Sequence, residues 1–379
     1  MSYQDKRLFL SPPHMSGAEK GFLDEVFATN FIAPAGPLIE RFERDFCDLT
    51  GIAHACALNS GTAAIHLALR VLGVGKGDEV WMPSLTFIGG VSPVSYLGAS
   101  PVFLDSAVDS WGVDIELLEV ELRRAKQTGT LPTALISVDL YGQPVDQDKI
   151  NGICTSYGVP VISDSAEAMG TRYKNRHSGK GARVSAFSFN GNKIITTGGG
   201  GMIASDDKSL IDQARFLSQQ AREPVPYYEH QTIGYNYRMS ALNAAVGVGQ
   251  LQVLSERVKR RREIFQVYKE ALSALPGVSF LPDPSFGQSN HWLTVILIDK
   301  KISGLTPEDI RLALEADNIE ARPVWKPMHL QPVFQGMQML GGGVAEQRFA
   351  TGLCLPSGSQ MTTDDQSRVV ACIKSLWAM

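Results

Sequence analysis

The sequence predicts an α/β chain in which a large domain, built on a mostly parallel, doubly wound sheet, precedes a smaller α/β domain. Two observations carry this. From residue 54 onward, short apolar segments alternate with helical ones, the pattern of strands joined by helical crossovers. A long helical stretch over about 240–275 then separates that region from a shorter remainder. The length of 379 residues suits two domains, expected at 1–245 and 246–379.

Residues 1–15 read as an extended arm ending in Pro12-Pro13-His14. Ser16 and Glu19 have capping-box spacing and start a helix over about 17–29. The segment 30–37 is a loop, and Pro37 suits the first turn of a helix over about 37–49. There Leu38, Phe42, Phe46 and Leu49 follow a helical period. Strands are expected at 54–58, 79–82, 101–104, 134–138 and 159–163. Ligands on such sheets bind beyond the carboxyl ends of the strands, which here present 60–62, 83–87, 139–142 and 164–167. A strand at 291–298 and helices near 306–317 and 362–377 form the smaller domain.

Hydrophobic content of 44% and charged content of 20% fit an ordinary globular enzyme. A net charge of -4 gives no electrostatic case for a nucleic-acid partner. The one basic run, R-V-K-R-R-R at 257–262, reads as a solvated helix face. Five cysteines, an odd number without a C-x-x-C pair, argue for a reducing compartment and against zinc or iron–sulfur ligation. No metal is expected. The N-terminus lacks a signal-peptide core and no run of 18 apolar residues occurs, so the expected location is cytoplasmic, with no membrane partner.

The chemistry centres on S-A-F-S-F-N-G-N-K-I-I-T-T-G-G-G-G-M at 185–202: an alternating strand, a polar turn bearing Lys193, and four glycines. A lysine among buried aromatics is costly to hold unless its charge has a use. Partly desolvated, it releases its proton more readily, and the free amine can condense with an aldehyde. Alone, the stretch reads as a solvated turn; a phosphate-binding P-loop fails on spacing. Asn59-Ser60-Gly61-Thr62, at a strand-to-helix junction, offers an anion seat or a simple N-cap. Asp164, closing V-P-V-I-S, meets a cation or a ligand proton, or caps the next turn. Phe87 is core, or a flat surface for an aromatic ring. Ser188 is an ordinary strand serine, or a hydroxyl aimed at the same region. Jointly these residues supply an anion seat, an acid for a ring nitrogen, an aromatic face and an amine for an aldehyde. That set fits pyridoxal 5′-phosphate.

Further motifs carry a resemblance. They include Gly36-Pro37, N-S-G-T-A-A, P-S-L-T-F, D-S-A-E-A-M-G, S-F-N-G-N-K, G-Y-N-Y-R-M-S and P-M-H-L-Q-P. Over nearly its whole length the chain resembles the DegT/StrS nucleotide-sugar aminotransferases, a branch of the fold type I pyridoxal phosphate-dependent transferases. The resemblance implies that Lys193 forms the Schiff base with the cofactor and then shuttles a proton. It implies that Asp164 pairs with the pyridine nitrogen, Phe87 stacks on the ring, and Gly61, Thr62 and Ser188 hold the phosphate. Asn236 would reach the phosphate from a partner subunit, making a homodimer with shared sites. Arg238 and His329 fall where the family meets substrate.

Glu167 departs from the Gln or His usual near the cofactor's phenolic oxygen. A carboxylate there would repel a phenolate unless protonated or turned away. Lysine at 193 disfavours the dehydratase branch, which carries histidine.

The details most resemble enzymes that use L-glutamate to aminate C4 of UDP-linked 4-keto-6-deoxy-N-acetylhexosamines, on the way to bacillosamine-type sugars of polysaccharide or lipopolysaccharide. GDP-perosamine synthases are the rival resemblance. Other pyridoxal phosphate chemistry on nucleotide sugars, or a non-catalytic sensor of the same fold, are the remaining alternatives.

Overall fold

The computed structural model describes residues 7–281 and 283–378. The first six residues of the expected arm lie outside the described residues. The large domain carries β1 (His54–Leu58), β2 (Glu79–Pro83), β3 (Ser100–Leu104), β4 (Ala134–Val138) and β5 (Val161–Asp164). Two short strands follow, β6 (Arg172–Tyr173) and β7 (Arg176–His177), and then β8 (Val184–Ser188) and β9 (Gly201–Ser205). The rest of the chain adds β10 (Val278–Phe280), β11 (Gly287–Gln288), β12 (Thr294–Ile298), β13 (Arg322–Pro323), β14 (Met339–Leu340) and β15 (Gly352–Leu355).

The central sheet has the order β1-β9-β8-β5-β4-β2-β3-β14. Neighbours from β8 to β14 all pair parallel, whereas β9 runs antiparallel between β1 and β8. Parallel neighbours need long crossovers. Helices supply them: α3 (Gly61–Val71), α4 (Ile88–Tyr96), α5 (Ile115–Thr128) and α6 (Gln147–Ser156), after α1 (Glu19–Thr29) and α2 (Pro37–Thr50). With helices over it, the sheet buries every residue of β4, β8 and β9, which is why these strands read as near-continuous apolar runs.

The expected strands recur with small shifts. The shift of 159–163 to Val161–Asp164 makes Asp164 the last residue of β5 rather than the residue after it. Strand β9 was not expected, because its start is hidden in the glycine run. At the first helix, Glu19 accepts from the N–H groups of Ser16 and Gly17, both at 2.8 Å. The Ser16 hydroxyl accepts from Ala18 instead of Glu19, so only half of the capping box forms.

The long helical stretch is two helices, α8 (Ala241–Leu251) and α9 (Leu254–Leu272), after α7 (Lys208–Ser218). The ladder breaks where the Val253 N–H turns back to Gln250. Along α9 the buried positions are Leu254, Val258, Arg261, Phe265, Tyr268 and Leu272 among others. That spacing is one apolar stripe. Arg261 falls on it and is 1% exposed, which overturns the reading of 257–262 as a uniformly solvated face.

A second, antiparallel sheet, β10-β12-β15-β13, lies in the C-terminal part of the chain. Its core includes Ile264, Tyr268, Ile296, Ile310, Leu353 and Val369. Strand β14 leaves this region and joins the edge of the large sheet beside β3. The part of the chain after residue 245 therefore also contributes to the large sheet. Among the described residues no helix is long and apolar enough to cross a membrane.

Candidate active site

A cavity of about 740 Å³ opens at the carboxyl ends of β1, β5 and β8. Ser60 caps α3 with extended backbone, and its hydroxyl accepts from the Ala63 N–H at 3.0 Å. The N–H groups of Gly61 and Thr62 stand ahead of that bond, at the positive end of the helix and on the cavity wall. Gly61 has a steric reason: a Cβ there would lie 2.9 Å from Ser188 Cβ. The bare backbone thus lets α3 approach the end of β8, placing the Ser188 hydroxyl beside the helix terminus. Gly90 on α4 plays the same part for Asp164, since a Cβ there would lie 2.8 Å from Asp164 Oδ2.

Two carboxylates share the cavity floor. Asp164 Oδ1 accepts from the Ala166 N–H at 3.1 Å. Burial pushes its carboxyl up to about 7, against that hydrogen bond, and the nearby Glu167 adds to the rise. Glu167 accepts from Lys193 Nζ at 3.1 Å and, through its other oxygen, from the Tyr141 N–H at 2.7 Å. Burial raises its carboxyl too, opposed by Lys193 and by that N–H. The side chain of Glu167 therefore faces the working amine and is not turned away.

Lys193 also lies 4.2 Å from the centre of the Trp292 ring. The turn before it is clasped from two sides. Trp292 Nε1 and the Ser11 hydroxyl each donate to Asn192 O at 2.7 Å. Behind them the buried Arg261 donates to Ser11 Oγ at 2.9 Å and to Trp292 O. No carboxylate pairs with Arg261 among the described residues, and burial lowers its pKa to about 9.

Phe87 caps α4 and keeps 53% of its surface exposed, so it is cavity wall and not core. Its ring meets Trp325 at 5.2 Å. Thr86, beside it on the wall, has a buried hydroxyl with no partner among the described residues.

The cavity thus brings together Gly61, Thr62, Phe87, Asp164, Glu167, Ser188 and Lys193. Three expected residues lie elsewhere. Arg238, expected at the substrate, is held inside the domain: its guanidinium donates to Glu43 at 2.5 Å and to Ala57 O at 2.8 Å. His329 is likewise tied, Nδ1 to Ser84 Oγ at 2.6 Å and Nε2 to Glu346 at 3.0 Å, and does not line the cavity. Asn236 is exposed and outside the cavity of its own chain. Ser11, Trp292, Arg322 and Trp325 were not anticipated, and Thr86 only as part of P-S-L-T-F after β2. Trp325 also had a signal, standing two residues before P-M-H-L-Q-P.

The fold and cavity define a pyridoxal phosphate enzyme, and the cofactor's features match what the site offers. Among the described residues the Thr86 hydroxyl and Asp164 Oδ2 have no protein partner, and they face the same cavity as the helix terminus at Gly61 and the Lys193 amine. Comparison with known proteins gives the same class. The model of the DegT/DnrJ/EryC1/StrS aminotransferase family matches residues 13–374. The chain belongs to this family of pyridoxal phosphate-dependent sugar aminotransferases.

It is 50% identical over 376 residues to EpsN of Bacillus subtilis, described as a candidate pyridoxal phosphate-dependent aminotransferase, covering 98% of this chain and 96% of that one. It is 35% identical over 368 residues to the GDP-perosamine synthase of Caulobacter vibrioides, covering 97% of each. Among solved structures, a family member from Brucella abortus superposes with a TM-score of 0.89 at 27% identity, covering 96% of each chain.

Proposed function

We propose that the protein moves the amino group of L-glutamate to C4 of a nucleotide-linked 4-keto-6-deoxy sugar, with UDP-4-keto-6-deoxy-N-acetylglucosamine as acceptor. The observation that carries the transfer chemistry is the placement of Lys193, a largely shielded amine between Glu167 and the Trp292 ring in the turn after β8. Pyridoxal phosphate bound there supplies an aldehyde that exchanges amines and a ring that draws electrons from the adjoining carbon. Lys193 Nζ carries the proton, taking it from the carbon that bears the donor's nitrogen and giving it up as transfer proceeds. Asp164 would hold the proton on the ring nitrogen. The Gly61 and Thr62 N–H groups and the Ser188 hydroxyl would hold the phosphate, and Phe87 would supply the aromatic face. Glu167 fixes the Lys193 amine through its Oε1 while the Tyr141 N–H anchors its other oxygen.

In sum, L-glutamate and the 4-keto sugar become 2-oxoglutarate and the 4-amino sugar. The product class suits polysaccharide or lipopolysaccharide building blocks of the bacillosamine kind. The GDP-linked acceptor is the second reading, favoured by the 35% identity to a GDP-perosamine synthase.

The site also reads as half of a pair. Asn236 is exposed in a chain that leaves Phe27, Phe31, Ile32 and Ile233 on its surface, an apolar display that suits a cytoplasmic homodimer. In it, Asn236 of each chain completes the other's phosphate seat.

The acceptor is tested by first converting the enzyme with L-glutamate and removing excess donor. UDP-4-keto-6-deoxy-N-acetylglucosamine should then restore the cofactor's original absorbance faster than the GDP-linked 4-keto sugar. Preference for the GDP compound shifts the assignment to the second reading, and no recovery with either rejects both.

A further inference from the structure

The outer end of the cavity holds a cation that none of the roles above uses. Among the described residues on the cavity wall, the basic side chains are Lys193 and Arg322, against the acids Asp164, Glu167 and Glu320. Lys193 is consumed by chemistry and by Glu167. That leaves Arg322 as the cation on this wall that an entering anionic substrate can meet.

Arg322 is built for a fixed position. It lies on β13, paired in register with Cys354, which itself lines the cavity. Three residues on, the Trp325 N–H donates to Tyr141 Oη at 3.1 Å, pinning the segment. Glu320 Oε1 takes Arg322 Nε at 2.8 Å and Nη2 at 2.7 Å. Its other oxygen accepts the Leu10 N–H at 3.0 Å, so the arm holds the carboxylate that holds the guanidinium. A guanidinium has more N–H donors than Glu320 uses, and no further acceptor meets them among the described residues. The Arg322 side chain is 67% exposed, against 11% for Lys193. One cation marks the deep end and the other the open end.

We infer that Arg322 anchors the diphosphate of the nucleotide-linked acceptor. This rests on the nucleotide-sugar reading above. The chemistry of the acceptor selects it. C4 must reach the Lys193 end, and the diphosphate leaves from C1, on the opposite side of the sugar ring. It therefore extends toward the open end, where a half-used planar fork can take phosphate oxygens. The short donor, L-glutamate, could present a carboxylate to the same group, and the test separates the two.

The amine-loaded holoenzyme is titrated calorimetrically with UDP and GDP, and with UMP and GMP as single-phosphate controls. The L-glutamate half-reaction is followed in parallel by absorbance. Arg322→Ala should weaken the preferred diphosphate by roughly 10- to 100-fold, as loss of a charged hydrogen-bonding partner implies. The monophosphate should lose less, Arg322→Lys should recover part of the affinity, and the change should exceed any in the L-glutamate step. Unchanged diphosphate binding, or a loss falling mainly on L-glutamate, overturns the assignment. A wild-type enzyme that binds neither nucleotide overturns it together with the nucleotide-sugar reading, whereas normal wild-type binding with a silent Arg322→Ala overturns Arg322 alone.

Discussion

The floor and the mouth of the cavity are built in opposite ways. The floor comes from successive strand ends and the turns after them: Gly61 after β1, Asp164 at the end of β5, Ser188 and Lys193 at and after β8. Its two carboxyl groups, Asp164 and Glu167, are buried, and burial raises both. The mouth is gathered from distant segments, the arm at Phe9 to Ser11 and the C-terminal part at Trp292, Arg322 and Trp325. Phe9, Arg322 and Trp325 there are partly solvated, Ser11 and Trp292 are buried, and hydrogen bonds between segments hold them. Reaction chemistry belongs where water is excluded, and choice of substrate where a large ligand must enter and leave.

Changes at the floor should therefore stop amine transfer, whereas changes at the mouth should shift binding or alignment. The largest effect is expected for Lys193→Ala, with a loss of at least about 10³-fold in the L-glutamate half-reaction, the upper range for removal of a proton-transfer group. Single-turnover absorbance measures it. Asp164→Asn should follow at roughly 10²-fold, because a neutral amide cannot hold the ring nitrogen's proton by charge.

A mixing experiment sharpens the contrast by asking whether the floor is complete within one chain. If Asn236 serves the neighbouring site, Lys193→Ala and Asn236→Ala proteins, each weak alone, should regain activity after mixing and reassociation. Random pairing leaves one intact site in half of the dimers, or about a quarter of wild-type activity. No recovery would place Asn236 outside the neighbour's site.

At the junction of the two regions, Trp292→Phe keeps a ring beside Lys193 but removes the bond to Asn192. A cost of about 1 kcal/mol in stability is expected, with a several-fold fall in kcat and little change in KM. A change confined to stability would make the clasp around Asn192 merely structural.

The smallest effect concerns pH. Asp164 is raised to about 7 in the cofactor-free protein, above its unfolded value. Between about pH 4 and 7 the folded state holds a proton that the unfolded state has lost, so this group's contribution to stability falls as pH rises through that window. Comparing thermal unfolding of cofactor-free wild type with Asp164→Asn isolates it: the variant should gain relative stability toward pH 7. The comparison is needed because His66 and His177, both depressed to about 4 by burial, act in the opposite sense as pH falls below 6.5.

The same contrast explains what could be read in the chain. Floor residues lie at strand ends, and strand ends show as short apolar runs closing on polar or glycine-rich turns. Asp164, Ser188 and Lys193 are visible for that reason. Strand β9 escaped because glycines mask an apolar run. Arg261 escaped because five basic residues in six suggested a wet face, although its place in the stripe of Leu254, Val258, Phe265 and Tyr268 marks it as buried. Arg322 escaped because nothing local distinguishes it from other surface arginines; only the tertiary fold brings β13 over the cavity. Arg238 misled for the opposite reason. It sits in a recognisable motif, yet Glu43, from α2, holds its charge inside the domain.

The most direct test of the central claim is to treat the pyridoxal phosphate-loaded protein with L-glutamate alone. If the floor performs half of the transfer by itself, one equivalent of 2-oxoglutarate per chain should appear and the cofactor's visible absorbance should be lost, with neither change in Lys193→Ala. Release of 2-oxoglutarate only after a keto sugar is added would contradict the account, because donor and acceptor would then have to occupy the site together.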